Sequence, residues 1–129
     1  MNILLIEDNI GDVYLIQASL DEMGLEYRLS TVHNGEIAIA YIRHCEELMV
    51  PDLILLDINM PGKSGFDVLT ELKSSDSLKD IPVIVITSSM SDEQREKARK
   101  LGAVGFVSKP PRYPEYSERI KSLLSNYMN

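Results

Sequence analysis

Short runs of aliphatic and β-branched residues recur along the chain and alternate with stretches of helical periodicity. Four of the runs are almost continuously apolar, which is typical of strands covered on both faces of a parallel sheet. The second run alternates apolar and polar residues, which favours a strand at the edge of the sheet. In chain order the five predicted strands are 3–6, 27–32, 53–56, 83–86 and 104–107.

The segments between these runs repeat apolar residues at steps of three and four, which predicts five amphipathic helices. Gly24 follows the first stripe as a typical helix stop. Asn34 and Ser64 are suitable N-caps for the second and third helices. Ser91 and Gln94 form a capping-box signature at the start of the fourth helix. The apolar positions, helix by helix, are Val13, Ile16, Leu20 and Met23; Ile37, Tyr41 and Ile42; Phe66, Leu69 and Leu72; Ala98 and Leu101; and Tyr116, Ile120, Leu123, Leu124 and Tyr127.

Alternation of five strands with five helices predicts an α/β fold, (βα)₅, in which right-handed crossovers place helices on both faces of one parallel sheet. The chain has 129 residues, of which 44% are hydrophobic and 26% are charged, values typical of one globular domain. We therefore expect a single domain over residues 1–129. The fourth helix is the exception, because residues 91–101 are charged almost throughout and offer little to bury. Such a helix is expected to be weakly anchored.

The net charge of the chain argues against two classes of binding partner. With 13 Lys and Arg against 20 Asp and Glu, the net charge is −7, which repels nucleic acid and anionic membrane surfaces. We expect neither as a partner, and no apolar run reaches the length of about 18 residues that a membrane span needs. The lone Cys45 cannot form an internal disulfide, and residues 1–6 lack the features of a signal peptide. We therefore expect the protein in the cytoplasm.

Polar residues follow the carboxyl ends of four predicted strands. In doubly wound sheets, ligands bind beyond these ends, so we expect the side chains to converge although they are distant in sequence. They are Glu7 and Asp8 after the first strand, Asp57 after the third, Thr87 after the fourth, and Ser108 and Lys109 after the fifth.

This group of residues favours a hard cation and a phosphoryl ligand. Carboxylates brought together repel one another unless a cation compensates, and Mg²⁺ commonly combines one or two carboxylates with phosphate oxygens and water. His33 and His44 are expected away from this edge, and no zinc-ligand set accompanies the acids. We therefore predict Mg²⁺ here, with Lys109 and Thr87 available to bind phosphoryl oxygens.

Four short motifs, in this order, resemble those of the receiver domains of two-component response regulators. The match covers essentially the whole chain, and its segments are 7–9 (Glu-Asp-Asn), 55–62 (Leu-Leu-Asp-Ile-Asn-Met-Pro-Gly), 85–87 (Val-Ile-Thr) and 109–110 (Lys-Pro). The resemblance implies a flavodoxin-like sheet of strand order 2-1-3-4-5. Because no output domain follows Asn129, we expect a stand-alone receiver similar to the chemotaxis receivers. Segment 7–9 and the connection 44–51 also resemble receivers that partner phytochrome-type kinases.

The resemblance assigns roles to the acidic residues. Asp57 is implied as the phosphoacceptor, which takes a phosphoryl group from the phosphohistidine of a sensor histidine kinase or phosphotransfer protein. Mg²⁺ is implied to bind the carboxylates of Asp57 and Asp8 directly and that of Glu7 through water. The backbone carbonyl of Asn59 is implied to complete the metal site. A carboxylate nucleophile, charge neutralisation and positioning are the requirements of such a transfer.

The remaining motif residues are implied to bind and transmit the phosphoryl group. Thr87 and Lys109 would bind its oxygens, and the peptide bond between Lys109 and Pro110 is expected to be cis. Phe106 matches the aromatic switch position that the family couples to Thr87. Because phenylalanine has no hydroxyl, this coupling must act through packing. The implied output surface is the fourth helix, fifth strand and fifth helix, which would contact a downstream protein or a second copy of the chain.

Two other functions remain open from the residues alone. Asp57-Ile58-Asn59 resembles the start of an aspartate-nucleophile phosphatase motif, but those enzymes need a second acid and Asn59 cannot transfer a proton. An unphosphorylated scaffold would have no use for the complete set of acids, hydroxyl and lysine, because exposed charges stabilise a fold little. We therefore expect a signalling domain that catalyses only its own phosphorylation and dephosphorylation, not an enzyme acting on a separate substrate.

Overall fold

The computed structural model describes residues 1–24, 26–44, 50–60, 64–88, 91–109 and 113–126 of the chain. In these ranges five strands and five helices alternate, which confirms the (βα)₅ pattern. The strands are β1 (Asn2–Ile6), β2 (Arg28–Val32), β3 (Leu53–Asp57), β4 (Val83–Thr87) and β5 (Gly105–Ser108). The helices are α1 (Ile10–Glu22), α2 (Gly35–Arg43), α3 (Gly65–Ser74), α4 (Asp92–Lys100) and α5 (Tyr113–Leu124). The predictions that concern Cys45, Pro61, Gly62, Tyr127 and the side chain of Tyr116 fall outside the described residues.

The five strands form one parallel sheet in the order β2-β1-β3-β4-β5, as predicted. In the register, Ile6 pairs with Leu56, and Asp57 pairs with Ile86. The carboxyl ends of β1, β3 and β4 are therefore neighbours, and the residues that follow these strands meet at one edge.

Helices cover both faces of the sheet, which explains the continuous apolar runs. Successive side chains of a strand point to opposite faces. In β3, Ile54 and Leu56 pack with buried residues of α2, α3 and α4. Leu53 and Leu55 pack with buried residues of α1 and α5 on the other face. The edge strand β2 is less covered: Val32 is its buried position, and Leu29 is half-buried on the other face of the sheet.

Six strand boundaries differ by one residue from the prediction: β1, β2 and β5 begin at Asn2, Arg28 and Gly105, and β3, β4 and β5 end at Asp57, Thr87 and Ser108. β2 begins at Arg28, whose N–H donates to the carbonyl of Met1 at 2.7 Å, and the hydroxyl of Tyr27 instead donates to Asp21. β5 extends to Ser108, because this residue still pairs with Thr87 at the end of β4.

One predicted core position of α2 is wrong. Ile37 is 55% exposed, whereas Ala38 and Ile42 are buried. Residues four apart share a helix face, and the position before such a pair is rotated away from it. The chain thus uses a small residue rather than Ile37 where α2 approaches the sheet.

The predicted helix caps are confirmed, and α1 has one that the pattern did not indicate. Asn34 accepts from the N–H of Ile37, and capping boxes are present at Ser64 and Ser91. At α1, the side chain of Asn9 accepts from the N–H of Asp12 at 3.0 Å. This cap starts α1 only three residues after β1 and so keeps its first turn at the acidic edge.

The fourth helix is as poorly buried as its composition predicts, since Ala98 is the buried residue of α4. Within the part of the chain that the structure describes, no helix combines the length and apolar character that crossing a membrane requires.

Candidate functional site

Three carboxylates from the ends of β1 and β3 lie together. Glu7, Asp8 and Asp57 each offer an oxygen, and these atoms lie within 4.8 Å of one another. Glu7 is fully buried, Asp57 is 4% exposed, and Asp8 is exposed. Oxygen ligands of this kind, two from the protein interior and one open to solvent, suit a hard divalent cation that keeps some of its water. The residues present could therefore hold Mg²⁺ or Mn²⁺.

The same local turn orients the carboxylates of Glu7 and Asp57. The N–H of Asn9 donates to Oε2 of Glu7 at 3.3 Å, and the N–H of Asn59 donates to Oδ1 of Asp57 at 3.0 Å. In each case an acid at the strand end accepts from the backbone two residues later, a local bond that competes with regular structure. The turn directs each acid toward the edge of the sheet instead of into the apolar layers.

Lys109 connects the acids. Its Nζ donates to the carboxylate of Glu7, donates to Oδ2 of Asp12 at 2.8 Å, and lies 3.6 Å from Oδ2 of Asp57. The backbone N–H of Lys109 donates to the carbonyl of Thr87 at 2.8 Å, which extends the pairing of β5 with β4. The ammonium is thus held beside Asp57 by both main chain and side chain.

An excess of negative charge shapes the electrostatics of this site. Burial raises the pKa of Glu7 to about 8, with the hydrogen bond and negative charge of Asp57 adding to the effect and Lys109 opposing it. Burial alone would lower the pKa of Lys109, but hydrogen bonds to Asp12 and Glu7 and the charges of Glu7 and Asp57 outweigh it and raise that pKa. The site therefore keeps its ammonium charged and also stabilises a proton on Glu7, both of which reduce repulsion among the acids.

Thr87 and Phe106 lie on the sheet face that carries α3 and α4. Thr87 is the last residue of β4, two positions after the core residue Val85, and its Oγ1 accepts from Nδ2 of Asn59 at 2.5 Å. Phe106 pairs in register with Val85 and packs against the same core layer. The guanidinium of Arg95 on α4 lies 5.8 Å from the centre of the Phe106 ring. Phe106 therefore links the core layer that contains Val85 to α4.

Three predicted residues need comment. His33 is not remote from the site as expected: its Nδ1 lies 3.2 Å from the carbonyl oxygen of Glu7, because β2 is the parallel neighbour of β1. Ser108 is exposed, and its carbonyl accepts from Arg119 on α5. The predicted cis bond after Lys109 involves Pro110, which is outside the described residues.

Two residues of the site were not indicated by any motif. Asp12 contacts Lys109 from the first turn of α1, where an acidic residue is ordinary because of the helix dipole. Gly65 starts α3 against the end of β3, where an added Cβ would lie 2.5 Å from Cα of Ile58 and 2.6 Å from the carbonyl oxygen of Asp57. A glycine directly after the Ser64 cap was the available signal for this close approach.

Comparison with known proteins agrees with the geometry. The sequence model of the response regulator receiver domain matches residues 3–121. The polar-differentiation response regulator DivK of Brucella anthropi is 34% identical over 125 residues, which are 97% of this chain and 97% of DivK.

Two solved structures have the same fold over almost the whole chain. The phosphorylated cyanobacterial phytochrome response regulator RcpA is 34% identical with a TM-score of 0.87, and the match covers 98% of this chain and 92% of RcpA. The Mn²⁺-bound form of response regulator Rcp1, a protein of Synechocystis, is 31% identical with a TM-score of 0.86, covering 96% of this chain and 91% of that one. The chain belongs to the response regulator receiver domain family.

Proposed function

We propose that this chain, as a single receiver domain over residues 1–129, accepts a phosphoryl group on Asp57 from the phosphohistidine of a sensor histidine kinase or phosphotransfer protein. The new charge then alters the surface of α4, β5 and α5 and so controls a protein partner. Membership of the receiver family supports the general role. The single cysteine of the chain supports the cytoplasm as its location.

One juxtaposition carries the proposal: a buried carboxylate at a strand end, Asp57, lies inside an acid cluster with an ammonium 3.6 Å away. A carboxylate oxygen of Asp57 would attack the phosphorus, so that a P–O bond forms while the P–N bond to the donor imidazole breaks. The leaving imidazole takes a proton from solvent. The N–H of Asn59 and the ammonium of Lys109 orient the two oxygens of the nucleophile before attack.

Mg²⁺ is the metal we propose, held by Glu7, Asp8, Asp57 and the backbone carbonyl of Asn59. When bound, it would neutralise charge on the phosphoryl oxygens, which is the main requirement of phosphoryl transfer. The clustering of the three carboxylates supports this site, and the related Rcp1 is known in a Mn²⁺-bound form.

Thr87, Lys109 and Phe106 are proposed to bind and transmit the phosphoryl group. Phosphorylation adds roughly one negative charge to Asp57. The Lys109 ammonium is placed to pair with it, and the Thr87 hydroxyl can donate to a phosphoryl oxygen. A shift of Thr87 would pass to Phe106 through Val85, which lies two positions before Thr87 in β4 and pairs with Phe106, and Phe106 lies against Arg95 of α4.

An exposed apolar pair supports a protein as the phosphodonor. Ile10 and Tyr14 lie four residues apart on α1 and are 61% and 66% exposed, next to the acids that precede this helix. Residues four apart share a helix face, so the pair offers a small apolar surface for docking beside the site. A phytochrome-type kinase is the donor class we propose to test first, because RcpA is among the similar structures.

The decisive experiment is intact-mass measurement after incubation with Mg²⁺ and acetyl phosphate. We expect one phosphoryl adduct in the wild type, none after chelation of the metal, and none in Asp57→Asn. Asp52→Asn, at the opposite end of β3, is the matched control and should be phosphorylated like the wild type.

A folded wild-type protein that forms no adduct with acetyl phosphate or with a histidine kinase would instead be an unphosphorylated scaffold. Continuous release of phosphate from added phosphomonoesters, dependent on Asp57, would assign the phosphatase function instead. Stoichiometric and self-limiting uptake supports the receiver.

A further inference from the structure

An acidic residue outside the receiver motifs holds the lysine of the site. Oδ2 of Asp12 lies 2.8 Å from Nζ of Lys109, although the two residues are 97 positions apart. The side chains are 24% and 12% exposed, so the ion pair is largely shielded from water. Asp12 is not among the three carboxylates that could hold a cation together.

Both ends of this ion pair are anchored by the fold. The N–H of Asp12 donates to the side chain of the cap residue Asn9, and Val13 in the next position is buried in the core. At the other end of the ion pair, the backbone N–H of Lys109 donates to the carbonyl of Thr87 in β4. The backbones of both residues are thus fixed by the fold before the side chains pair, which favours a specific arrangement over a passing surface contact.

The three acids around Lys109 are not equivalent. An ammonium has three N–H donors, and its neighbours here are Glu7, Asp12 and, at the longer distance of 3.6 Å, Asp57. Glu7 and Asp57 also belong to the acid cluster proposed for the metal, whereas Asp12 does not. If Glu7 and Asp57 bind a metal, Asp12 is, among the described residues, the remaining carboxylate that pairs with Lys109.

We infer that Asp12 is a positioning residue for Lys109: it keeps the ammonium beside Asp57, within reach of a phosphoryl group carried there. This inference rests on the proposed function. Asp12 does not touch the reacting atoms, and its effect passes through the lysine. A purely structural role at the start of α1 would stabilise the helix through its dipole and would not need Lys109.

A double-mutant cycle separates these roles. The rate of phosphoryl uptake from acetyl phosphate at saturating Mg²⁺ is measured for Asp12→Ala, Lys109→Ala and the double variant. We expect Asp12→Ala to slow uptake about tenfold, the size of one charge-assisted hydrogen bond, and to have less than about a twofold effect once Lys109 is gone. Asp12→Asn, which keeps an oxygen acceptor without the charge, should fall between Asp12→Ala and the wild type.

A second measurement does not depend on phosphorylation. The ammonium of Lys109 should give a resolved signal in the ¹H–¹⁵N spectrum of ¹⁵N-labelled protein with Mg²⁺, because bonded ammonium protons exchange slowly with water. Asp12→Ala should remove this signal, while Glu36→Ala, an acid in the first turn of α2, should leave both the signal and the uptake rate unchanged.

Each outcome decides a separate question. Uptake by Asp12→Ala that is as fast as or faster than wild type would show that the charge of Asp12 only repels the donor, and would overturn the inference. Equal effects of Asp12→Ala with and without Lys109 would assign a structural role instead. If the wild type takes up no phosphoryl group, the proposed function fails, and a Lys109 signal that survives Asp12→Ala then overturns the pairing itself.

Discussion

Asp57 lies between two flanks that are built from different interactions. On the side of α1, the ammonium of Lys109 donates to the carboxyl groups of Glu7 and Asp12. On the side of α4, the amide of Asn59 donates to the hydroxyl of Thr87, a bond between neutral groups. Under the proposed function, an added phosphoryl charge would act strongly on the first flank, because charge interactions in a shielded site are strong. The second flank responds mainly to the position of the new oxygens.

The helices next to the two flanks, α1 and α4, differ in how many apolar residues they bury. α1 buries Val13, Ile16 and Leu20 against the sheet, whereas the buried residue of α4 is Ala98. Apolar burial is the main source of helix anchoring in a protein, so α1 is the firmer support and α4 is the element that can move. In the proposed function, the charged flank would bind the phosphoryl group, and the neutral flank would transmit its arrival to α4.

The largest expected effect comes from breaking the charged flank at Glu7. Because burial raises the pKa of Glu7 from 4.5 to about 8, the folded protein holds a proton there that the unfolded chain releases between these values. The resulting stabilisation is complete below about pH 4.5 and is lost as the pH rises to about 8. Glu7→Gln cannot titrate, so in metal-free buffer its unfolding midpoint should rise relative to wild type across this range.

The measurement is thermal unfolding with chelator present, which gives the unfolding midpoint of both proteins as a function of pH from 4.5 to 8. Glu93→Gln, at an exposed position of α4, is the control and should run parallel to the wild type. A Glu7→Gln curve that also runs parallel to the wild type would contradict the buried proton.

The next effect concerns Gly65, which lies against the backbone of Asp57 and Ile58. In Gly65→Ala the new Cβ would meet the backbone of Asp57 and Ile58 at 2.6 and 2.5 Å, and backbone cannot move aside easily. We expect a loss of about 1–3 kcal/mol in the free energy of unfolding, measured with urea, together with slower phosphoryl uptake. In the control Gly105→Ala, the Cβ meets the side chain of Leu123 at 3.2 Å, which can shift, so the loss should be smaller. A stabilised Gly65→Ala, as helix propensity alone predicts, would contradict the close approach.

The smallest effect comes from breaking the neutral flank. Asn59→Ala removes the amide that donates to Thr87 and keeps the backbone N–H that donates to Asp57. We expect a loss of about 1 kcal/mol in stability, the usual net value of one hydrogen bond. Thr87→Val should cost a similar amount, and the double variant should cost little more than either single variant. Additive losses in urea unfolding would show that the two side chains do not stabilise one another.

Much of this site follows from residues that are close in sequence. The continuous apolar runs require burial on both faces, and the capping residues Asn34, Ser64 and Ser91 mark helix starts by local hydrogen bonds. Once the strands are parallel, the acids that follow them must share an edge. For this reason the sequence alone predicts that Glu7 and Asp57 lie together.

The remaining features depend on contacts between elements, which a local pattern does not encode. His33 approaches Glu7 because β2 and β1 are paired, and Gly65 approaches Asp57 because α3 begins against the end of β3. The side of α2 that faces the sheet is set by packing with the neighbouring helix and strands, so Ile37 points outward.

The order of strands and helices and the charged groups at their ends follow from the amino-acid sequence, because hydrophobic periodicity and capping act over a few residues. The pairing of Lys109 with Asp12 as well as with Glu7, by contrast, is visible in the folded chain alone. The physical reason is that an ion pair across 97 residues depends on where two separate elements come to rest against the sheet, and an acid in the first turn of a helix has the same local chemistry wherever that helix lies.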